Sequence, residues 1–410
     1  MSEAQRTRWD RLWVGYNVAT MADSALGRIE SGAIATSGDR IAWVGPEAAL
    51  PGAPEALAQR VQRGHGEWLL PGLIDCHTHI VFGGDRSNEF RLRLHGASYE
   101  EIAKGGGGIM STVRETRRAS DADLLEGATK RARALASWGV TTVEVKSGYG
   151  LDVETELRML RVAAQVADKV PVDVSPTLLA AHLVPPEFED DRAAYIKRIV
   201  DEVIPRAVSE GHARSVDAFC EKIALTPVET RRVLEAGSQA GLLGRLHADQ
   251  LSDSGGGALA AELGARSADH LEYLSDEGVD AMAVAGVVAV LLPGAFYSLK
   301  ERQTPPVTQL RDRGVPMAVA TDANPGSSPI TNVGAILNMA CVLFGLTPEE
   351  ALMGITTVAA QVLDLANDRG RLAVGMRADF GIWDVPDTVW LTYWVGTSPL
   401  VGVVKDGAPA

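Results

Sequence analysis

His77 and His79 stand two residues apart in the stretch PGLIDCHTHIVFGGDR, Pro71 to Arg86. Leu69, Leu70, Leu73 and Ile74 lead into them as a buried strand would, so Asp75, His77 and His79 fall where apolar residues should continue. Residues i and i+2 of a strand point to one face, with Cα atoms roughly 7 Å apart, which lets two imidazoles converge on one ion. Two histidines satisfied by hydrogen bonds at a strand end would give the same local pattern. Three further segments tip the balance. RLHADQ carries His247, ADHLEY carries His270, and ATDANPGSSP carries Asp322 into a Gly-Pro loop. Three imidazoles and a carboxylate make a ligand set for Zn²⁺ or Fe²⁺ with a position left for water. Such an ion brings the pKa of bound water toward ~7. His270 would then hold the nucleophile or a substrate oxygen, and Asp322 would accept a proton while staying at the metal. Cys76 alternates away from this face and reads as a packed thiol.

The elements that must carry these residues alternate along the chain. Eight apolar runs read as strands: WLLPGLIDCHTH, GVTTVEVKSGYG, VDVSPTLLAAH, SVDAFCEK, LLGRLHADQ, RSADHLEY, VVAVLLPGA and PMAVATDANPG. Between them DADLLEGATKRARALASWG, ETELRMLRVAAQVADK and TPVETRRVLEAGSQAG place apolar residues at helical spacing. Repeated β then α predicts an α/β protein built on a (β/α)8 barrel, whose chemistry sits at the C-terminal ends of the strands. His77 and His79 end strand one, His182 strand three, His247 strand five, His270 strand six and Asp322 strand eight. Five of the eight histidines thus fall at the barrel mouth. The strands were assigned from periodicity alone, so the two signals are independent.

Outside the barrel the texture changes. RLWVGYNVAT, GAIATSGDRIAWVG and, at the other end, GRLAVGMRADFGIWDV, TVWLTYWVG and LVGVVKDG are β-rich. A small β-sandwich made jointly by both ends is expected, dividing the chain into residues 1–66, a barrel over 67–366 and residues 367–410.

Composition narrows the function classes. The chain has 410 residues, 46% hydrophobic and 22% charged, with a net charge of −14. That charge disfavours nucleic acid and anionic membrane surfaces, and an anionic substrate would need its own local cation. Three cysteines, widely spaced and without a C-x-x-C pair, point to a reducing cytoplasm. The apolar stretch from Ala281 to Phe296 is too short for a membrane span and contains Pro293 and Gly294. KGGGGIMST and SDSGGGAL lack the G-K-[ST] ending of a phosphate loop and read as flexible rims of the site. The first, including Gly105–Gly108, would serve as a lid, with Tyr99 beside it in reach of substrate.

His-x-His on strand one, His on strands five and six, and Asp on strand eight resemble the amidohydrolase superfamily in its mononuclear form. Dinuclear members bridge their metals with a modified lysine ending strand four; here DAFCEK puts Lys222 beyond the strand end, which favours one metal. The segments HTHIVFGGDR, GGGGIMSTVRETR, VEVKSGYGLDVETELRMLRV, AAHLVPPE, DAFCEK, LHADQLSDSGG, ADHLEY and TDANPGSSP further resemble one family within it, the imidazolonepropionases of histidine degradation. The match runs from about residue 66 to 385.

The resemblance implies hydrolysis of the ring amide of 4-imidazolone-5-propanoate to N-formimidoyl-L-glutamate. Water activated at the metal attacks the ring carbonyl, the metal and His270 stabilise the oxyanion, and Asp322 passes a proton to the leaving nitrogen. The substrate's propionate needs a cation or several donors once buried. Arg86, seven residues after His79, is the best placed cation, with a solvated loop charge as its bland alternative. Tyr149, between two glycines, contacts the substrate by resemblance, as does His182. Asn324, Gly326 and Ser327 line the pocket, their backbone N–H groups forming a nest for a carboxylate or ring oxygen. Related deaminases carry glutamate where this chain has Gln250. An amide takes up no proton near neutral pH, so Gln250 orients substrate and proton transfer falls to His270 and Asp322. A base deaminase of the same superfamily is disfavoured by Gln250, and a non-catalytic barrel by the complete ligand set. Zinc and iron suit that set equally; a homodimer is expected by resemblance alone.

Overall fold

The computed structural model describes residues 8–96 and 106–410. Tyr99 and Gly105 lie outside the described residues. Two eight-stranded sheets organise the chain. The first holds β1 (Trp9–Ala19), β2 (Arg28–Ser37), β3 (Arg40–Pro46), β4 (Ala58–Arg63) and β5 (Trp68–Pro71) from the N-terminal end. The second holds β6 (Leu73–Asp75), β7 (Val140–Lys146), β8 (Asp173–Ala181), β9 (Ser215–Cys220), β10 (Leu243–Ala248), β11 (Ser267–His270), β12 (Val288–Leu291) and β13 (Met317–Val319). Strands β14 (Phe380–Trp383), β15 (Leu400–Lys405) and β16 (Ala408–Pro409) then return to the first sheet.

The second sheet runs parallel in chain order from β6 to β13. It closes between its first and last strands: Thr78 bridges Ala323, and His79 N–H donates to Ala323 O at 3.0 Å. Asp75 stitches the same seam, accepting from Thr321 N–H at 3.1 Å and Thr321 Oγ1 at 2.6 Å. This is the (β/α)8 barrel the periodicity predicts. The three amphipathic segments form helices at Asp121–Ala136, Val153–Val166 and Pro227–Gln239. Their starts are chemically specified. Ser120 and Thr226 each close a capping box with the residue three ahead, and Asp152 caps Thr155 N–H at 2.8 Å. Each helix turns its apolar stripe inward, and Leu124, Leu160 and Leu234 are buried in one core with the barrel strands.

One strand reads differently. The run WLLPGLID was expected as one barrel strand, but Trp68–Pro71 pairs with β1 and β14, and only Leu73–Asp75 joins the barrel. Gly72 is the crossing point. A side chain there would collide with Thr141, so the chain passes from sheet to sheet against the barrel wall without one. The expected sandwich is built from a single sheet that curls until β3 meets the segment leading into β14 at an Arg40–Arg377 bridge. Alternation along β1 explains its two buried faces: Trp13 packs against Phe380, whereas Leu12 and Val14 pack with Ala33 and Ala35.

The curled sheet is pinned to the N-terminal end of the barrel. Arg369 donates to Thr142 Oγ1 at 2.8 Å and pairs with Asp173, both at the starts of barrel strands. Asp368 gathers Arg40, Arg369 and Arg377 at 2.6, 2.9 and 3.1 Å. The opposite end of the barrel is therefore left for chemistry. No described helix is long and apolar enough to cross a membrane. The stretch from Ala281 to Phe296 is divided among a helix end, β12 and the start of another helix.

Candidate metal centre

The candidate ligands meet at the barrel seam. Asp322 N–H donates to His77 O at 3.0 Å, so the strand-one and strand-eight residues are set by backbone pairing across the closure. His77 Nε2 lies 3.3 Å from His79 Nε2, and Asp322 Oδ1 lies 3.5 Å from both. His247 comes in from β10, and donor atoms of the three histidines lie within 4.8 Å of one another. All four side chains are buried.

These donors fit a metal on physical grounds. Spacings of 3.3–3.5 Å match the edge of a coordination polyhedron with bonds of about 2.0–2.1 Å. Burial pushes His77 and His79 well below the usual histidine range, so both rings are neutral, and the carboxylate at His77 Nδ1 leaves a lone pair on His77 Nε2 facing His79. His247 Nε2 is buried with no hydrogen-bond partner among the described residues. Such an arrangement is costly unless something cationic shares the lone pairs.

The far sides of two of the rings, His77 and His247, face carboxylates that periodicity and motif do not single out. Asp269 Oδ2 sits 2.6 Å from His77 Nδ1. Asp217 Oδ2 lies 3.0 Å from His247 Nδ1, an approach too oblique for a hydrogen bond, and Asp217 Oδ1 accepts from the His247 N–H at 3.2 Å. A carboxylate on Nδ1 selects the tautomer that offers Nε2 to a metal. Beneath them Lys146 contacts Asp217 at 2.7 Å, Glu144 at 2.8 Å and Asp269 at 3.8 Å. Arg245 contacts Glu144 at 2.7 Å, Asp269 at 3.9 Å and the Cys76 carbonyl at 2.7 Å. A signal for these five was present: Glu144, Lys146, Asp217, Arg245 and Asp269 are charged residues inside strands that read as fully buried. Cys76 itself packs with Ile74, Val290 and Ala320, the apolar role expected for it.

Other candidate residues ring this centre. The His270 ring lies 5.5 Å from His247 and 5.9 Å from His77, and burial lowers its pKa well below the histidine norm. His182 stacks 5.5 Å from His79 and donates from Nδ1–H to Gly148 O at 3.0 Å. Burial drops His182 to about 3. The Tyr149 ring lies 5.8 Å from His79 and 5.5 Å from His182. Its loop is fixed by buried Glu156, which accepts from the N–H groups of Gly148, Gly150 and Leu151 at 2.7–2.9 Å. His270, Leu271 and Asp322 all adopt left-handed backbone, with φ of 82°, 74° and 50°. Strain of this kind is tolerated where side chains must be aimed. Glu272 follows at once, buried, its Oε2 without a partner among the described residues, and burial raises it to about 8.

Arg86 is not a lone cation. It binds Glu89 through Nε at 3.0 Å and Nη2 at 2.7 Å, and Glu89 also accepts from the Gly108 N–H. Its guanidinium rests against Gly326, in a cavity of about 720 Å³ lined also by Phe82, Arg131, Tyr297 and Asn324. The nest expected over Asn324, Gly326 and Ser327 is filled from within. Asn324 Oδ1 accepts from both Gly326 and Ser327 N–H at 2.8 Å, so those donors stiffen the loop rather than await a ligand. Ser327 Oγ is likewise taken by Asn324 Nδ2 at 2.9 Å. Gln250, 9% exposed, lies in the bend that follows β10. Lys222 is exposed, beyond β9.

Comparison with known proteins agrees with this architecture. An adenosine deaminase from Xanthomonas campestris with bound zinc superposes with a TM-score of 0.74 at 18% identity, over 98% of this chain and 93% of that one. A zinc complex of an atrazine chlorohydrolase from Arthrobacter aurescens gives 0.72 at 16%, over 97% and 94%. At these identities the likeness establishes the fold. A profile of the amidohydrolase family matches residues 68–410. Imidazolonepropionases of Shewanella baltica and Shewanella putrefaciens are each 52% identical over 402 residues, covering 97% of this chain and 98% of theirs. The chain therefore belongs to the amidohydrolase family and, within it, to the imidazolonepropionases.

Proposed function

We propose that the chain hydrolyses the ring amide C–N bond of 4-imidazolone-5-propanoate to N-formimidoyl-L-glutamate. The observation that carries this reading is an intact cluster of His77, His79, His247 and Asp322 in a chain 52% identical, end to end, to proteins of that name. One zinc or iron ion held by those four residues would supply a water with pKa near ~7. A single ion is favoured because Lys222 is exposed and Lys146 is already committed to carboxylates.

The protein's own groups account for the rest. Asp322 takes the proton of the attacking water and delivers it to the ring nitrogen as the C–N bond breaks. His270, kept neutral by burial, donates a hydrogen bond to the carbonyl oxygen as charge develops there. Gln250 cannot carry a proton and orients the ring. Tyr149 and His182 hold the ring against His79, which their ring spacings of 5.8 and 5.5 Å support. Arg86 takes the propionate, with Asn324, Gly326 and Ser327 forming the wall beside it. All three cysteines are free, which suits a reducing cytoplasm, and we assign a homodimer by kinship.

The test is to add zinc- or iron-loaded protein to freshly prepared imidazolonepropionate and follow loss of its ultraviolet absorbance. Hydrolysis by the wild type, abolished in Asp322→Asn, supports the reading. No hydrolysis, or equal rates for the two proteins, overturns it.

A further inference from the structure

Lys146 sits at the point where the two ring-holding carboxylates meet. Its side chain is fully buried, and its ammonium touches Asp217 at 2.7 Å, Glu144 at 2.8 Å and Asp269 at 3.8 Å. Asp217 is the partner of His247, and Asp269 is the partner of His77. The two histidines come from strands 170 residues apart in sequence and share no backbone pairing, since β6 and β10 lie on different parts of the barrel wall. One link between them runs through the strand ladder, where Asp269, the partner of His77, is the register partner of His247 on the neighbouring strand. A second link runs through side chains in the barrel interior: His77, Asp269, Lys146, Asp217, His247. Glu144 and Arg245 brace it from the side, at 2.7 Å from each other.

We infer that Lys146 is a positioning residue of the metal centre: it ties the carboxylates behind His77 and His247 to one fixed point and thereby sets the separation of their metal-facing nitrogens. The physical reason lies in charge and dryness. Glu144, Asp217 and Asp269 are three carboxylates sealed from water, and among the described residues Lys146 and Arg245 are the basic side chains paired with them. Without the ammonium, Asp217 and Asp269 repel each other with little screening and turn away from their rings. An ammonium suits the role because its donors radiate from one compact centre, which a planar guanidinium cannot imitate in the same space.

The inference rests on the metal-centre reading above, and its test separates the two. Apo protein is titrated with zinc against a chelating dye, and with cobalt(II) while the visible ligand-field spectrum is recorded. Lys146→Met keeps the length of the side chain and removes the charge. It is expected to weaken zinc binding by about 10–100-fold, as loss of ring-orienting partners does, and to alter the cobalt spectrum. Lys146→Met combined with Glu144→Gln restores the buried charge balance without restoring the bridge. A positioning role predicts that this double variant stays weak and spectrally altered. Recovery of wild-type affinity and spectrum in the double variant would reduce Lys146 to charge balance and overturn the inference. So would unchanged binding in Lys146→Met, or failure of both variants to fold, which would make the residue purely structural. A wild type that takes up no zinc would instead sink the metal-centre reading itself.

Discussion

Asp269 and His77 are separated by 192 residues of sequence and by 2.6 Å in space, carboxylate oxygen to ring Nδ1, with neither side chain exposed. Neighbouring His270 belongs to the same strand yet faces the same cluster of imidazoles, so β11 supplies both a ring and a ring-holder. Asp269→Asn should keep the size of the side chain and reverse the hydrogen-bond preference at Nδ1. The expected result is a fall of about 10–100-fold in zinc affinity, measured by chelator competition. Unchanged affinity would mean the contact is incidental to the centre.

Gln250 offers no proton to the reaction. Gln250→Glu should therefore change kcat by less than about tenfold, because the existing proton route does not run through this position. The measurement is a steady-state progress curve at fixed pH. A rise by orders of magnitude would reassign the proton transfer.

Arg86 is held in place by Glu89 and abuts Gly326. Arg86→Gln should raise KM by about 10–100-fold, as the loss of a hydrogen bond to a charged group worth about 1.5–3 kcal/mol implies, with little change in kcat. Gly326→Ala should move the guanidinium and shift KM in the same direction by less. A substrate analogue lacking the carboxylate should respond to neither change. If it responds equally, Arg86 does not read the propionate.

The joint between sheet and barrel should make the protein acid-sensitive. Arg40, Arg369 and Arg377 hold the Asp368 carboxyl well below its ordinary value of 3.8. Because the folded form holds this proton less tightly than the unfolded chain, its contribution is complete above about pH 4 and is lost as pH falls further. Asp368→Asn should cost about 1–2 kcal/mol at pH 7 and flatten the dependence of Tm on pH below 4. Parallel wild-type and variant curves across that range would contradict it.

Local pattern carried much of this molecule. Eight apolar runs and capped amphipathic segments specified the barrel because periods of 2 and 3.6 are properties of short windows. His77, His79, His247, His270 and Asp322 were legible for a related reason: polar side chains at the ends of apolar strands have few structural uses. The net charge of −14 disfavours nucleic acid and anionic membrane surfaces as partners without reference to any fold. The switch at Gly72 was not legible, since Trp68–Pro71 and Leu73–Asp75 are equally apolar, and which sheet each joins depends on strands contributed by residues 9–19 and 380–383. Nor was the filling of the Asn324 loop by its own N–H groups, which turns on side-chain direction. The buried network beneath the centre was hidden for a deeper reason. Glu144, Lys146, Asp217, Arg245 and Asp269 are tolerable inside the barrel only as a set, and the set exists only once four strands distant in sequence have closed around it. Hydrophobic periodicity is read along the chain, whereas charge pairing in a dry interior is decided across it.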